Sequence, residues 1–167
     1  CDGGNPILAF PFVMKHGITL ESSYPYKARD GTCNIDKVRK PAVTLDTYAT
    51  LPVNDEQNMK MVVREIGPLG VGVDAAGDYR MMMYRGGIFE SDKCSQEVDH
   101  ALILSGYGEE QVTDPHTNTT ETVKFWVARS SWGPHWGENG YMRFIRGIDH
   151  LGIESICEYG KPVLRVK

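Results

Sequence analysis

Basic clusters are missing from this sequence. Its 18 Lys and Arg are scattered and outnumbered by 22 Asp and Glu, giving a formal net charge of -4. Phosphate recognition wants a basic face, so no nucleic-acid partner is expected. Long apolar runs are missing too: none approaches the ~20 residues that span a bilayer, and no membrane association is expected. Cysteine is scarce, with Cys1, Cys33, Cys94 and Cys157 far apart and none in CxxC spacing. That pattern argues against a zinc site, so no metal is expected, and leaves structural disulfides as the use of these thiols. There is no internal repeat, no low-complexity tract and no targeting peptide. The chain opens on Cys1 rather than on an initiator Met, and so reads as a processed or truncated product.

With 41% hydrophobic and 24% charged residues, the composition is that of a soluble globular chain. A chain of this size buries roughly 70% of its unfolded surface, enough for one sizeable core or two small subdomains. Asn118 begins an N-x-T sequon, a glycosylation signal that points with the cysteines to a lysosomal, endosomal or secreted location.

The organisation changes once along the chain. Residues 5–16, "NPILAFPFVMKH", read as a helix with Asn5 as N-cap, Pro6 in the first position and Gly17 as the stop, against the objection of Pro11. A second helix fits "NDEQNMKMVVREIG", with Asn54 and Gln57 at capping-box spacing and a stripe of Met61, Val62 and Ile66. From "GPLGVGVDA" onward the chain turns to short β-type runs: "VGVDA", "HALILSGYG", "VKFWVARSSW", "GYMRFIRG" and "GIESICEYG". The polar "EEQVTDPHTNTTET" between two of them reads as a long exposed loop.

Five histidines are present. His16, His116, His135 and His150 fall at helix ends, turns and loops, and read as solvated. His100 opens the apolar run "HALILSGYG", where an imidazole with a pKa near 6.5 can be held by one partner and exposed to another.

Its company carries a resemblance. "CDGGNP", "SSYPY", "YRGGIF", "VDHALILSGYG", "FWVARSSWGPHWGENGYMRF" and "LGIES" follow one another as they do in papain-like cysteine peptidases, the cathepsin family, across essentially the whole chain. The ending "LGIESICEYGKPV", with Cys157 and with Leu151 where a cysteine would stand, resembles the cathepsin X and cathepsin C branches more than cathepsin L. The resemblance implies an α+β fold of two subdomains. Residues 1–50 would be the remainder of a helical subdomain and residues 51–167 a mainly β-rich, barrel-like one, with a cleft between.

It also implies roles. His100 matches the general base that pairs with a cysteine nucleophile. Ser130 stands where the family has the asparagine that fixes the imidazole tautomer, Trp132 matches the indole that shields that contact, and Trp136 the aromatic near the primed side. Gly3 and Gly4 match backbone that pairs with an extended peptide. Asn5, Pro6, Gly72, Val98, Asp99, Ala101 and Ile156 match substrate-binding positions, those around Gly72 and Ile156 forming a pocket that prefers an apolar side chain. Pro6, Val98 and Ile156 serve equally well as ordinary core. Cys94 would pair with Cys157, stabilising the fold by about 4 kcal/mol in the chain-entropy model. Cys1 and Cys33 would bond to cysteines absent from this chain.

Two departures bear on activity. The "C-G-[SA]-C-[WY]" signature is absent, and the family's spacing puts its cysteine roughly 30 to 50 residues before residue 1. A serine at 130 is shorter than an amide and orients the imidazole less firmly. Its use as a nucleophile with His100 and Asp99 is disfavoured, because the matching position faces the far side of the imidazole from the substrate. Two accounts stand. In one, the chain is the larger piece of a cysteine peptidase that acts on peptides or proteins, needs no cofactor, and is disulfide-linked to a companion of roughly 60 residues bearing the nucleophile. In the other, it is an inactive pseudopeptidase that binds peptides or protein partners. On either account the isolated chain is inactive.

Overall fold

The computed structural model describes residues 3–93 and 95–164. Two compact units divide the chain: one runs through Thr50 and takes in the chain again from Glu158, and the other is Leu51–Cys157. The C-terminal segment therefore groups with the first fifty residues, where the sequence reading gave it to the second part.

In the first unit, α1 (Pro6–His16) starts as expected: the Asn5 side chain accepts from the Ile7 amide at 3.1 Å, and Pro6 occupies a position whose N–H has no helical partner. Gly17, at φ 77°, ends it by donating to the Val13 carbonyl at 2.8 Å. The helix continues through Pro11, which leaves one carbonyl a turn earlier without its donor and crowds that carbonyl with its ring. None of its residues is buried; Leu8, Phe12 and Met14 are exposed. A short α2 (Ile35–Val38), capped by Asn34, precedes β1 (Val43–Thr50). This strand pairs antiparallel with the last strand of the chain, Cys157–Leu164, from Val43↔Leu164 to Thr50↔Glu158. Sequence reading had no strand in residues 1–50. The alternation of Val43, Leu45 and Thr47 is broken by a register shift between Leu45 and Thr47, which erases the period-two signal.

The second unit holds α3 (Glu56–Glu65) and five strands: β2 (Leu69–Val73), β3 (Ile88–Phe89), β4 (His100–Thr113), β5 (Thr120–Arg129) and β6 (Tyr141–Ile145); the C-terminal strand is then β7. Their order is β2-β4-β5-β6-β3, antiparallel except for the β3–β6 pair. Strict alternation builds the core. Leu102 and Leu104 of β4, Trp126 and Ala128 of β5, and Met142 and Phe144 of β6 all face inward and are at most 4% exposed. The register aligns them, with Leu104 opposite Ala128 and Trp126 opposite Phe144. Around this centre the fold is α+β, as expected.

Five sequence expectations need correction here. The cap of α3 is Asp55, whose carboxylate accepts from the Asn58 amide at 3.1 Å, while Asn54 sits one residue earlier at φ 60°. With that start the buried face is Met59 and Val62, and Met61 is exposed. The polar stretch is not a long loop: the β4–β5 ladder continues to Thr113↔Thr120, leaving only residues 114–119 as the turn. In "GIESICEYG" the strand begins at Cys157, after a 3-10 turn at His150–Gly152. His150 is 2% exposed rather than solvated, and its Nε2 accepts from the Ser91 amide at 3.2 Å. Burial lowers its pKa, the Asp78 charge opposing, which keeps the ring a neutral acceptor. His16, His116 and His135 are exposed as expected.

Leu104, at 0% exposure, sits between β2 and β5, whereas Val112 lies on the outer part of the β4–β5 ladder at 37% exposure. Leu104→Ala is expected to cost about 2–5 kcal/mol of unfolding free energy in denaturant titrations. Val112→Ala is expected to cost under about 0.5 kcal/mol, and equal losses at the two sites would contradict this account of the core.

Candidate active site

His100 is the first residue of β4, paired with Val73 of β2. β5 ends at Arg129, opposite Ile103, so continuing the antiparallel ladder past its end carries the chain back along β4 through Ser130 toward Trp132. The result is a stack: the Trp132 and His100 rings lie 4.8 Å apart with their planes 21° from parallel. Trp136 meets Trp132 edge-on at 4.9 Å and 90°. It is itself anchored, donating through Nε1 to the Met82 carbonyl at 3.0 Å and packing on Tyr84 at 5.7 Å. Tyr84 in turn donates to the Gly87 carbonyl at 2.6 Å and accepts from the Arg143 amide at 3.3 Å. The glycines make this turn close. Gly137, at φ 57°, would bring a Cβ to within 2.5 Å of the Tyr141 carbonyl, a place no side chain can occupy.

Ser130 is 6% exposed. Its amide donates to the Gly140 carbonyl at 2.9 Å, and its hydroxyl accepts from the Trp132 amide at 3.2 Å. The expected contact from this hydroxyl to the imidazole is not made: His100 Nε2 is buried with no hydrogen-bond partner among the described residues. A serine oxygen sits one carbonyl short of where an amide oxygen would reach, and the backbone of its own turn claims it instead.

Burial lowers the His100 pKa, and the neighbouring Asp99 charge raises it in part. Asp99 is held in place by the backbone, Oδ1 accepting from the Ala75 amide at 2.8 Å and Oδ2 from Ala76 at 3.2 Å. Among the described residues its carboxylate bonds neither His100 nor Ser130, so no hydrogen-bonded Ser–His–Asp relay is assembled.

Four more of the expected residues come together. Gly72 pairs with Ala101 across β2 and β4, and its amide donates to the Ile156 carbonyl at 3.1 Å. A Cβ on Gly72 would collide with Val98 Cγ1 and lie 3.5 Å from Ile156 Cβ. Glycine there is what lets Val98 and Ile156 approach one another over the strand. Gly3, Gly4, Asn5 and Pro6 belong to the first unit, where Gly3 and Gly4 are exposed, with no atom of the described residues beyond their chain neighbours within 4 Å of where a Cβ would stand, and Asn5 and Pro6 open α1. Cys1 and Cys94 lie outside the described residues. Cys157 is buried, its Sγ 3.4 Å from the Ile153 carbonyl, and Cys33 is exposed. Sequence reading missed the anchors of the aromatic wall, Met82 and Tyr84; the "YRGGIF" motif carried the second of these without revealing its hydroxyl's partners. No cluster of potential metal ligands occurs among the described residues.

The family model described as papain family cysteine protease matches residues 1–161. Vignain of Ricinus communis is 40% identical over 158 residues, 94% of this chain and 40% of that protein. Cathepsin S of Rattus norvegicus is 34% identical over 160 residues, 95% of this chain and 45% of that protein. Among solved structures, the bromelain protease of Ananas comosus matches with a TM-score of 0.80 and 31% identity, over 96% of this chain and 71% of that one. The chain spans about two fifths of the length of these curated relatives.

The stack makes a titration testable. Trp132→Ala opens the His100 ring to water and is expected to raise its pKa toward the ordinary ~6.5, read by NMR titration of the imidazole. Asp99→Asn removes the charge that favours the imidazolium and is expected to lower it. A His100 pKa unmoved by Trp132→Ala would contradict burial as the cause.

Proposed function

The chain belongs to the papain family of cysteine proteases, and on that footing we propose that it is the histidine-bearing part of a peptidase whose cysteine nucleophile lies on a segment outside this sequence. His100 takes the thiol proton to give the thiolate, which attacks the substrate carbonyl; the imidazolium then returns the proton to the departing amine. The observation that carries this reading is the aromatic wall on His100. A ring stacked on Trp132 has a fixed plane and one shielded face, and a charge pair formed there is strengthened by the exclusion of water.

The substrate is a peptide or protein bound in extended form, with Gly72, Val98 and Ile156 of the second unit receiving an apolar side chain. The exposed Leu8, Phe12 and Met14 of α1 support a companion segment that covers this helix, linked through Cys1 and Cys33 and released by reductant. By its ending, "LGIESICEYGKPV", we read the chain as nearer the cathepsin X and cathepsin C branches, and its compartment as lysosomal, endosomal or secreted.

One observation favours a second reading. With Ser130 committed to Trp132 and His100 Nε2 unpartnered, the base lacks its orienting bond, as suits a pseudopeptidase that binds without cleaving.

The isolated chain is expected not to hydrolyse peptides. In the full-length protein, Ser130→Asn is expected to raise kcat with KM little changed, because an amide oxygen can reach Nε2 without touching bound peptide. Full-length protein inactive with either residue at 130 supports the pseudopeptidase, and turnover by the isolated chain contradicts the proposal outright.

A further inference from the structure

The outer part of β4 and β5 has no role in the site described above. β4 pairs with β2 only over His100–Leu104, and β5 with β6 only over Phe125–Arg129. From Glu110↔Val123 to Thr113↔Thr120 the two strands pair, among the described residues, only with each other, a two-stranded ribbon with open backbone edges whose Glu110 accepts from Arg143 of β6 at 2.7 Å. Every residue from Gln111 to Thr122 is exposed. Open edges of this kind are templates for pairing with other chains, and folded proteins blunt them with charge or bulk. The ribbon carries Glu110 and Glu121 along its length, and at its tip stands Asn118, followed by Thr119 and Thr120.

The tip is ordered. The Asp114 amide donates to the Thr119 carbonyl at 2.9 Å, the Asn118 amide donates to the Asp114 carbonyl at 2.8 Å, and Asp114 Oδ1 accepts from the His116 amide at 2.8 Å. Asn118 sits at φ 56°, a conformation that asparagine tolerates better than most residues. That accounts for an asparagine, but glycine or aspartate would satisfy the turn as well, and the turn asks for no hydroxyl two residues later. Among the described residues the Asn118 side-chain amide has no hydrogen-bond partner, so substituting it breaks no contact of the fold. Thr120 Oγ1 is 2.9 Å from Thr113 Oγ1 across the ladder, at the solvent surface.

We propose that Asn118 is an N-glycan acceptor, and that the ribbon holds its glycan away from the His100 site. The donor is a polyprenyl-diphosphate oligosaccharide. The Asn118 Nδ2 forms a bond to the anomeric carbon, the bond from that carbon to the diphosphate oxygen breaks, the diphosphate leaves with the electron pair, and the amide gives up one proton. At about 3.3 Å per residue, the 14 residues of β4 separate the tip from His100 by up to about 40 Å along the strand. A glycan at the tip therefore covers the open edges and leaves access to His100 unchanged.

The test uses the full-length protein expressed behind a secretory signal in eukaryotic cells. Peptide N-glycosidase treatment of the secreted protein is expected to shift its mobility and to leave aspartate at position 118 in the tryptic peptide. Asn118→Gln and Thr120→Ala are expected to abolish the modified peptide, and Thr120→Ser to retain it. A secreted protein whose peptide carries unmodified Asn118 overturns the proposal, as does a modified peptide that survives Thr120→Ala. Peptide hydrolysis, measured on the same preparations, is expected to be equal for the parent and Asn118→Gln. A glycosylated but inactive parent counts against the peptidase and not against the glycan.

Discussion

The stack of Trp132 on His100 depends on one register. Because Ile103 pairs with Arg129, the end of β5 runs back along the start of β4, and the indole arrives over the imidazole. A slip of one residue would send Leu102, Leu104, Trp126 and Ala128 to the solvent face together, so the core that stabilises the sheet also fixes the site. The second tryptophan holds the first, and the bond from Trp136 to the Met82 carbonyl ties both to the segment before β3. The placement of the imidazole here is a consequence of sheet packing, transmitted through two aromatic rings.

The same arrangement explains what Ser130 does. A buried imidazole nitrogen without a partner among the described residues costs about 1–3 kcal/mol, and the fold carries that cost beside the Trp132–Trp136 pair. An asparagine would relieve it. The serine instead closes its own turn, accepting from the Trp132 amide, and so helps to place the indole while leaving the imidazole tautomer unfixed. Desolvation then sets the His100 pKa, with Asp99 opposing it from a backbone-held position on the neighbouring loop. The chain keeps an indole stacked on the imidazole and makes no bond to it from the Ser130 hydroxyl.

Much of the site was legible in the sequence because motif and strand coincide: His100 opens an alternating run, and the Gly and Trp turn follows the next one. What escaped was set by contacts between distant segments. Met82 offers a carbonyl, which leaves no trace in residue type. His150 reads as a loop histidine until Ser91, far away in sequence, brings its amide to the ring. The helix α3 was found, but Asn54 and Asp55 are both good caps, and choosing the first turned Met61 inward in place of Met59. In the polar stretch after Gly108, hydrophobic periodicity vanishes because the ribbon has no buried face, so its strands were invisible to a period-two reading. The strand at residues 43–50 was hidden by its register shift.

Labelling by a thiol-directed epoxide tests the central claim most directly, that His100 activates a cysteine supplied from outside this sequence. The full-length protein should react at one cysteine upstream of Cys1, at a rate that collapses in His100→Ala and persists in Ser130→Ala. Labelling that is indifferent to His100, or a full-length protein with no reactive thiol at all, would contradict it.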